Sequence, residues 1–129
     1  MNLSYILNRV ARAYPDASAI TSHDGRLTYG ELDRQVAQIA GQLTGRHGLS
    51  PGGRVGIVRT NCAAFVPCLV GAWRAGLVAV PINAKLHPRE MAWILENAGA
   101  KLAIMTPELA ASVSEAADVA WPTVIATDE

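Results

Sequence analysis

Apolar residues recur at two different spacings along this chain, and the spacing changes near residue 54. Before that point they recur every three or four residues over 3–14 and again over 32–43, which predicts two amphipathic helices. The first helix should end before Pro15, because the residue preceding a proline is disfavoured in helical geometry. Between the helices, Ala19–Ser22 and Arg26-Leu27 flank an Asp-Gly pair, which indicates a small β-hairpin. The apolar positions are Leu3, Ile6, Leu7, Val10 and Tyr14, then Leu32, Val36, Ile39, Ala40 and Leu43.

The second helix has a recognisable start signal. Thr28 stands three residues before Glu31, which is the spacing of a capping box. In that arrangement the threonine hydroxyl accepts from one free backbone N–H and the glutamate carboxylate accepts from another. A catalytic role for Glu31 is the alternative, and its position in the first helical turn favours capping.

From Arg54 onward, short apolar runs alternate with helical segments. The runs cover 54–58, 77–80, 101–105 and 121–126, with a loop expected over 81–87. Gly76 and Gly99 are placed to end helices, and Pro88 suits a first helical turn. Strands that alternate with single helices predict right-handed crossovers and a parallel sheet with helices on both faces. We therefore expect one α/β domain over 1–129, in which a helix, hairpin and helix (1–50) precede a parallel-sheet unit (54–126).

The helix between the first two of these strands is the least regular. Asn61 can cap it, and Phe65, Val66, Leu69, Val70 and Trp73 form its apolar face. Pro67 lacks a backbone N–H and crowds the carbonyl four residues earlier. If Cys62 begins the helix, the first turn should be bent or should start late.

Composition excludes several classes of function. Eleven basic residues balance eleven acidic residues, so no net field attracts nucleic acid or an anionic membrane. No apolar run reaches the ~18 residues of a transmembrane helix, and the first residues lack a signal-peptide pattern, so a cytoplasmic protein is expected. Cys62 and Cys68 are expected to be small buried side chains. His23, His47 and His87 are scattered, which favours surface or capping roles over a metal or catalytic role.

Two stretches together resemble a known family. Leu27-Thr28-Tyr29-Gly30-Glu31-Leu32 resembles the first core motif of the adenylate-forming (AMP-binding) superfamily, and Trp73 to Asn83 resembles the second. Gly53-Arg54-Val55 lies between them in the expected order, and Pro88 to Lys101 follows. The resemblance covers nearly the whole chain and is strongest to acyl-CoA synthetases, including fatty-acid–CoA ligases. It implies the N-terminal subdomain of that fold.

The resemblance also implies a chemistry whose main parts are not in these residues. Such ligases join a carboxylic acid to the α-phosphate of ATP with Mg²⁺, release pyrophosphate, and usually transfer the acyl group from AMP to the thiol of coenzyme A. The family's Pro-Lys-Gly phosphate loop, its adenine-binding motif, its ribose-binding aspartate and its C-terminal lysine would all come later than Glu129. We therefore expect an N-terminal fragment with no catalytic or metal-binding residue and no cofactor of its own, inactive alone. ATP, Mg²⁺ and coenzyme A belong to the full-length parent.

Lys85 and Asn83 are the candidate binding residues. In some acyl-CoA synthetases a basic residue in the loop after the second motif lies near the nucleotide phosphates of coenzyme A, and Lys85 occupies that loop. A solvated surface lysine is the alternative and the commoner situation. Asn83 follows a strand at the end where α/β sheets bind ligands, and a loop cap is the alternative role for it.

Other interpretations stay open at this point. One is a non-catalytic α/β binding or regulatory module, and another is part of a peptide-synthetase adenylation domain. A fragment predicts an exposed apolar patch or an open sheet edge where the remainder of the parent chain docks. The same patch would allow a homodimer.

Overall fold

A computed structural model describes residues 2–60 and 63–117, together with the backbone of 124–126. Its first part holds helix α1 (Ser4–Ala13), strands β1 (Ser18–Ser22) and β2 (Gly25–Thr28), and helix α2 (Tyr29–Gly41). A short π-helical turn, Gln42–Arg46, extends α2. The second part alternates strand and helix: β3 (Arg54–Arg59), α3 (Phe65–Arg74), β4 (Val78–Asn83), α4 (Pro88–Ala98), β5 (Leu102–Met105), α5 (Pro107–Ala117) and β6 (Val124–Ala126).

Strands β3 to β6 form one parallel sheet, as the alternating pattern predicts. The strand order is β4-β3-β5-β6. β3 is therefore an interior strand, although it is the first of these four strands in the sequence. β1 and β2 form a separate antiparallel hairpin, whose register shifts between Ser18 and Ile20. The hairpin and the parallel pairing of the strands confirm the sequence-based predictions. The predicted residues 121–123 of the last strand lie outside the described part of the chain.

Helices cover both faces of the sheet, as predicted. On one face α2 and α3 pack against inward residues of β3 and β5, among them Val55, Ile57 and Ile104. On the other face α4 and α5 pack against the alternate strand residues, including Val58, Ala103 and Met105. Since a strand turns successive side chains to opposite faces, strands buried on both sides must be apolar at nearly every position.

The start of α2 is the predicted capping box. Thr28 Oγ1 accepts a hydrogen bond from the Glu31 backbone N–H at 3.2 Å, and Glu31 Oε1 accepts from the Thr28 backbone N–H at 3.0 Å. The bond from the Thr28 backbone N–H to the Glu31 carboxylate is the main cause that lowers the pKa of this carboxyl. The apolar side of the helix is buried through Leu32 and Val36.

Helix α3 begins late, as Pro67 predicts. Its first residue is Phe65 and Pro67 is the third, where a backbone N–H has no partner within the helix. The roles suggested for Asn61 and Cys62 lie outside the described residues. The predicted apolar face is only partly buried, and the fully buried residues of the helix are Pro67, Cys68, Gly71 and Ala72.

Strand β4 is longer than predicted. The expected loop over 81–87 is wrong for its first three residues, because β4 continues through Pro81 to Asn83. A proline fits at this position since β4 is an edge strand of the described sheet. The remaining loop is short, and α4 begins at Pro88 as predicted and ends at Gly99, whose φ of 67° is left-handed.

Helix α1 packs in an unexpected orientation. An amphipathic helix ordinarily turns its apolar side to the core. Here Ser4 and Ala11 are the buried residues, whereas Leu3 and Ile6 are each 57% exposed and Tyr14 is 66% exposed. α1 is therefore attached through a small, polar side and leaves most of its apolar side uncovered.

Candidate ligand cleft

The two sequence-predicted binding residues lie at the carboxyl edge of the sheet. Arg59 ends β3 and Asn83 ends β4, and the two residues are register partners in the parallel pair. The chain moves from β3 to β4 on one side and then to β5 on the other, so the strand order reverses at β3. Open α/β sheets bind ligands outside the carboxyl ends of strands near such a reversal.

A cleft of about 570 Å³ opens at this edge. Two of its lining side chains are cations, Arg59 and Lys85, and none of the lining residues within 2–60 and 63–117 is acidic. The aromatic ring of Phe65 and the amide of Asn83 complete a lining that suits an anionic ligand with a flat apolar part. The described lining residues are Arg59, Thr60, Phe65, Pro81, Ile82, Asn83, Ala84 and Lys85.

Asn83 shapes the loop that carries Lys85. Its Oδ1 accepts a hydrogen bond from the Lys85 backbone N–H at 2.9 Å, and its carbonyl accepts from the Leu86 N–H at 3.2 Å. The amide side chain thus closes a tight turn directly after the strand, a common use of asparagine. Lys85 itself is exposed, so a ligand can approach its ammonium from solvent.

Arg59 is the cleft residue that sequence reasoning missed. Only 6% of it is exposed, although most arginines lie at the surface. The sequence signal was a charged residue directly after the apolar run 54–58, at the end of a strand buried on both faces. The Arg59 guanidinium lines the cleft together with Lys85.

The hairpin contacts the chain that enters the cleft. Asp24, at the hairpin turn, accepts from the Ala63 backbone N–H at 3.3 and 3.4 Å. The Asp24 carboxylate also accepts from the Ser22 hydroxyl, and this bond is the main reason that its pKa is lowered. Because Phe65 follows two residues after Ala63, the hairpin helps to position the aromatic wall of the cleft.

The histidines and the described cysteine have no part in the cleft. His87 caps α4, since its Nδ1 accepts from the Arg89 N–H at 3.1 Å. His23 is exposed and His47 is half-buried, and Cys68 is 1% exposed in the core. Within residues 2–60 and 63–117, no group of three His, Cys, Asp or Glu side chains is arranged to hold a metal ion. Nor does this part of the chain contain a helix long and apolar enough to cross a membrane.

Comparison with known proteins places this chain in a family. The model of the AMP-binding enzyme family matches residues 7–129. The chain therefore belongs to the AMP-binding enzyme family, as its two motifs indicate. It is 39% identical to a feruloyl-CoA synthase of an Amycolatopsis species over 106 residues, which are 82% of this chain and 21% of that protein.

Other relatives show that the family match extends beyond coenzyme A ligases. A plipastatin synthase of Bacillus subtilis is 35% identical over 100 residues, covering 78% of this chain and 3% of that protein. Among solved structures, a benzoate CoA ligase of Burkholderia xenovorans superposes with a TM-score of 0.89 at 26% identity, covering 99% of this chain and 26% of that protein. The chain thus spans about a fifth to a quarter of the length of its ligase relatives.

Proposed function

We propose that this chain is the N-terminal part of an ATP-dependent carboxylic acid–CoA ligase. The observation that carries the proposal is the family match over residues 7–129, joined to 39% identity with an enzyme that makes a coenzyme A thioester. The parent enzyme would join the acid's carboxylate oxygen to the α-phosphorus of ATP, with loss of pyrophosphate. A thiolate would then attack the acyl carbon and release AMP.

The cleft is proposed to bind the nucleotide end of coenzyme A, not to perform the chemistry. Lys85 would supply a mobile ammonium and Arg59 a fixed guanidinium to phosphate oxygens, while Phe65 offers an apolar surface to a base. Asn83 would act indirectly, by holding the turn that presents Lys85. ATP and Mg²⁺ would be bound by the remainder of the parent protein.

ATP–pyrophosphate exchange tests the proposed reaction. The assay compares the 129-residue chain with the full-length product of its gene, using a panel of fatty and aromatic acids. Exchange in the longer protein alone is expected, and the preferred acid identifies the substrate. Absence of exchange in both proteins would point to a non-catalytic binding module. Exchange by the 129-residue chain alone would contradict the assignment of catalysis to other segments of the parent protein.

Lys85→Ala tests the proposed role of the cleft in the full-length protein. Loss of one exposed charge contact, worth ~0.2–1 kcal/mol, should raise KM for coenzyme A by roughly 1.5- to 5-fold. Pyrophosphate exchange should not change, because that step precedes the thiol. Lys101→Ala is the matched control, since this exposed lysine lies before β5, at the opposite edge of the sheet. Equal KM values for the two variants would exclude the phosphate contact.

A peptide-synthetase adenylation domain is the second candidate, favoured by the identity with the plipastatin synthase. Both candidates form an acyl adenylate, so the acceptor thiol separates them. Transfer to free coenzyme A in the full-length protein supports the ligase. Activation of an amino acid, with transfer only to a carrier-protein thiol, would support the synthetase and leave the Lys85 variant without effect on coenzyme A kinetics.

A further inference from the structure

Helix α1 presents an uncovered apolar stripe, defined here as Leu3, Ile6, Leu7, Val10 and Tyr14. These positions lie within roughly a third of the helix circumference, at ~100° per residue. Leu3 and Ile6 are 57% exposed and Tyr14 is 66% exposed, while Leu7 and Val10 are half-buried. A stripe of this kind normally faces a core.

The packing of α1 explains why the stripe faces outward. Polar contacts attach the opposite part of the helix: the Arg74 guanidinium donates to the Ser4 carbonyl at 3.2 Å, and Asn8 Nδ2 donates to Asp33 Oδ2 at 3.4 Å. Ser4 is fully buried beneath these contacts. The helix cannot rotate its stripe inward without breaking them.

The apolar surface continues from α1 toward the edge of the sheet. A groove of about 510 Å³ lies between Leu3 and Tyr5 of α1 and the turn that follows α3, with Trp73 and Leu77 in its wall. Val78, the next residue, is 47% exposed at the start of edge strand β4. Leu3 belongs to both the stripe and the groove, and Val78 directly follows Leu77 of the groove wall, so this region of the molecule is defined here as the stripe, the groove and Val78.

We propose that this region is the docking surface for an apolar face of the remaining polypeptide of the full-length ligase, an inference that rests on the proposed function. The chain spans only 21% of a feruloyl-CoA synthase and 26% of a benzoate CoA ligase, so such proteins carry ample further chain. A covalently linked segment also avoids most of the entropy cost of association, so a modest contact is enough.

The surface is a poor match for other occupants. A ten-residue helix is ~15 Å long, so the stripe by itself supplies far less than the ~800 Å² per partner that a stable dimer buries. An anionic membrane is disfavoured because the chain has no net charge and α1 carries only Arg9 and Arg12.

Thiol labelling of the full-length protein tests the docking surface. Ile6→Cys and Tyr14→Cys place thiols on the stripe, and Arg12→Cys places a control thiol on the exposed, opposite side of α1. Maleimide modification is followed at each position by mass spectrometry. We expect positions 6 and 14 to react at least tenfold more slowly than position 12, and equal rates at all three would overturn the proposal.

Light scattering and the addition of phospholipid vesicles identify what covers the docking surface. Protection in a protein that light scattering shows to be monomeric supports intrachain docking. Protection that disappears on dilution of a dimer, or that requires vesicles of anionic phospholipid, would overturn it in favour of a second copy or a membrane.

Labelling needs no catalysis, so its result is independent of pyrophosphate exchange. Exchange without protection would refute docking alone, and protection without exchange would refute the ligase assignment alone.

Discussion

Gly71 allows α3 to approach α2 more closely than any other residue would. A Cβ at this position would lie 2.7 Å from Ile39 Cγ2, 2.9 Å from Ile39 Cβ and 3.4 Å from the Val36 carbonyl. The Ile39 Cβ and the carbonyl belong to the helix framework, so they cannot move aside as a side-chain end could. The sequence shows only a glycine within a helical segment and does not reveal this contact.

Gly71→Ala is therefore expected to destabilise the fold by ~1–3 kcal/mol through overpacking. Gly41→Ala is the matched control: Gly41 is also helical, and a Cβ there would meet nothing within 4 Å. That change should stabilise the fold by ~0.5–1 kcal/mol, since alanine is the better helix former. Urea unfolding midpoints measure both, and effects of the same sign would contradict the close-approach explanation.

Arg74, the basic residue of the second motif, joins three helices. Its Nη2 lies 2.7 Å from Asp33 Oδ1 on α2, and the guanidinium also donates to the Ser4 carbonyl on α1. The Arg74 and Asp33 side chains are 16% and 23% exposed, so solvent screens this pair only partly. A sequence pattern identifies the basic residue, but its partners come from distant segments and require the fold.

Arg74→Ala should lower the unfolding free energy by ~1.5–3 kcal/mol, the usual effect of losing hydrogen bonds to a charged group. Arg74→Lys should recover only part of this, because an ammonium cannot reproduce the planar fork. Arg34→Ala, at an exposed position of α2, should stay within ~0.5 kcal/mol of the wild type. Chemical denaturation distinguishes these variants, and a lysine variant as stable as wild type would exclude the geometric role.

At the scale of elements, local signals predicted the structure well and tertiary features were predicted poorly. The Thr28–Glu31 box, the late start of α3 and the Gly99 helix end follow from a few neighbouring residues, and all are present. The extent of β4 was missed because a proline is compatible with an edge strand, and edge position is a property of the whole sheet. The direction of the α1 stripe depends on what Arg74 and Asp33 contact.

The capping box makes α2 sensitive to acid. The pKa of Glu31 is lowered in the folded state, so its carboxylate stabilises the fold above the ordinary range of a glutamate pKa. That contribution is lost as the pH falls through the lowered, folded-state pKa. Glutamine can keep the capping hydrogen bond but cannot titrate.

Glu31→Gln should therefore be less stable than wild type near pH 7, and the difference should shrink as the pH falls toward 3. Glu96→Gln, at an exposed position in the last turns of α4, is the control for the loss of one carboxylate outside the capping box. Urea unfolding midpoints measured across this pH range provide the test. A difference that grows on acidification would give the wrong sign and exclude a stabilising carboxylate.

At the scale of the whole molecule, alternation of strands and helices was enough to predict a parallel sheet covered on both faces. It could not give the strand order β4-β3-β5-β6, because several orders satisfy the same pattern. That order decides which strand ends meet. It brings Arg59 beside Asn83. The Asn83 and Lys85 side of the cleft could be predicted from the second motif, whereas the Arg59 side depends on the strand order.

The central place of β3 has a consequence for synthesis. β3 is the first strand of the sheet to leave the ribosome, yet both of its neighbours are translated later, and its earliest partner residue is Val78. Until then, the nascent chain carries a Val55-Gly56-Ile57-Val58 segment with two open edges, a template for aggregation. A protein of residues 1–76 should sediment as large particles, whereas one of 1–98, in which β4 shields one edge, should stay largely dispersed. Translation through the β4 codons is thus the step at which the first of the two open edges of β3 is covered, and the second stays open until β5 is made.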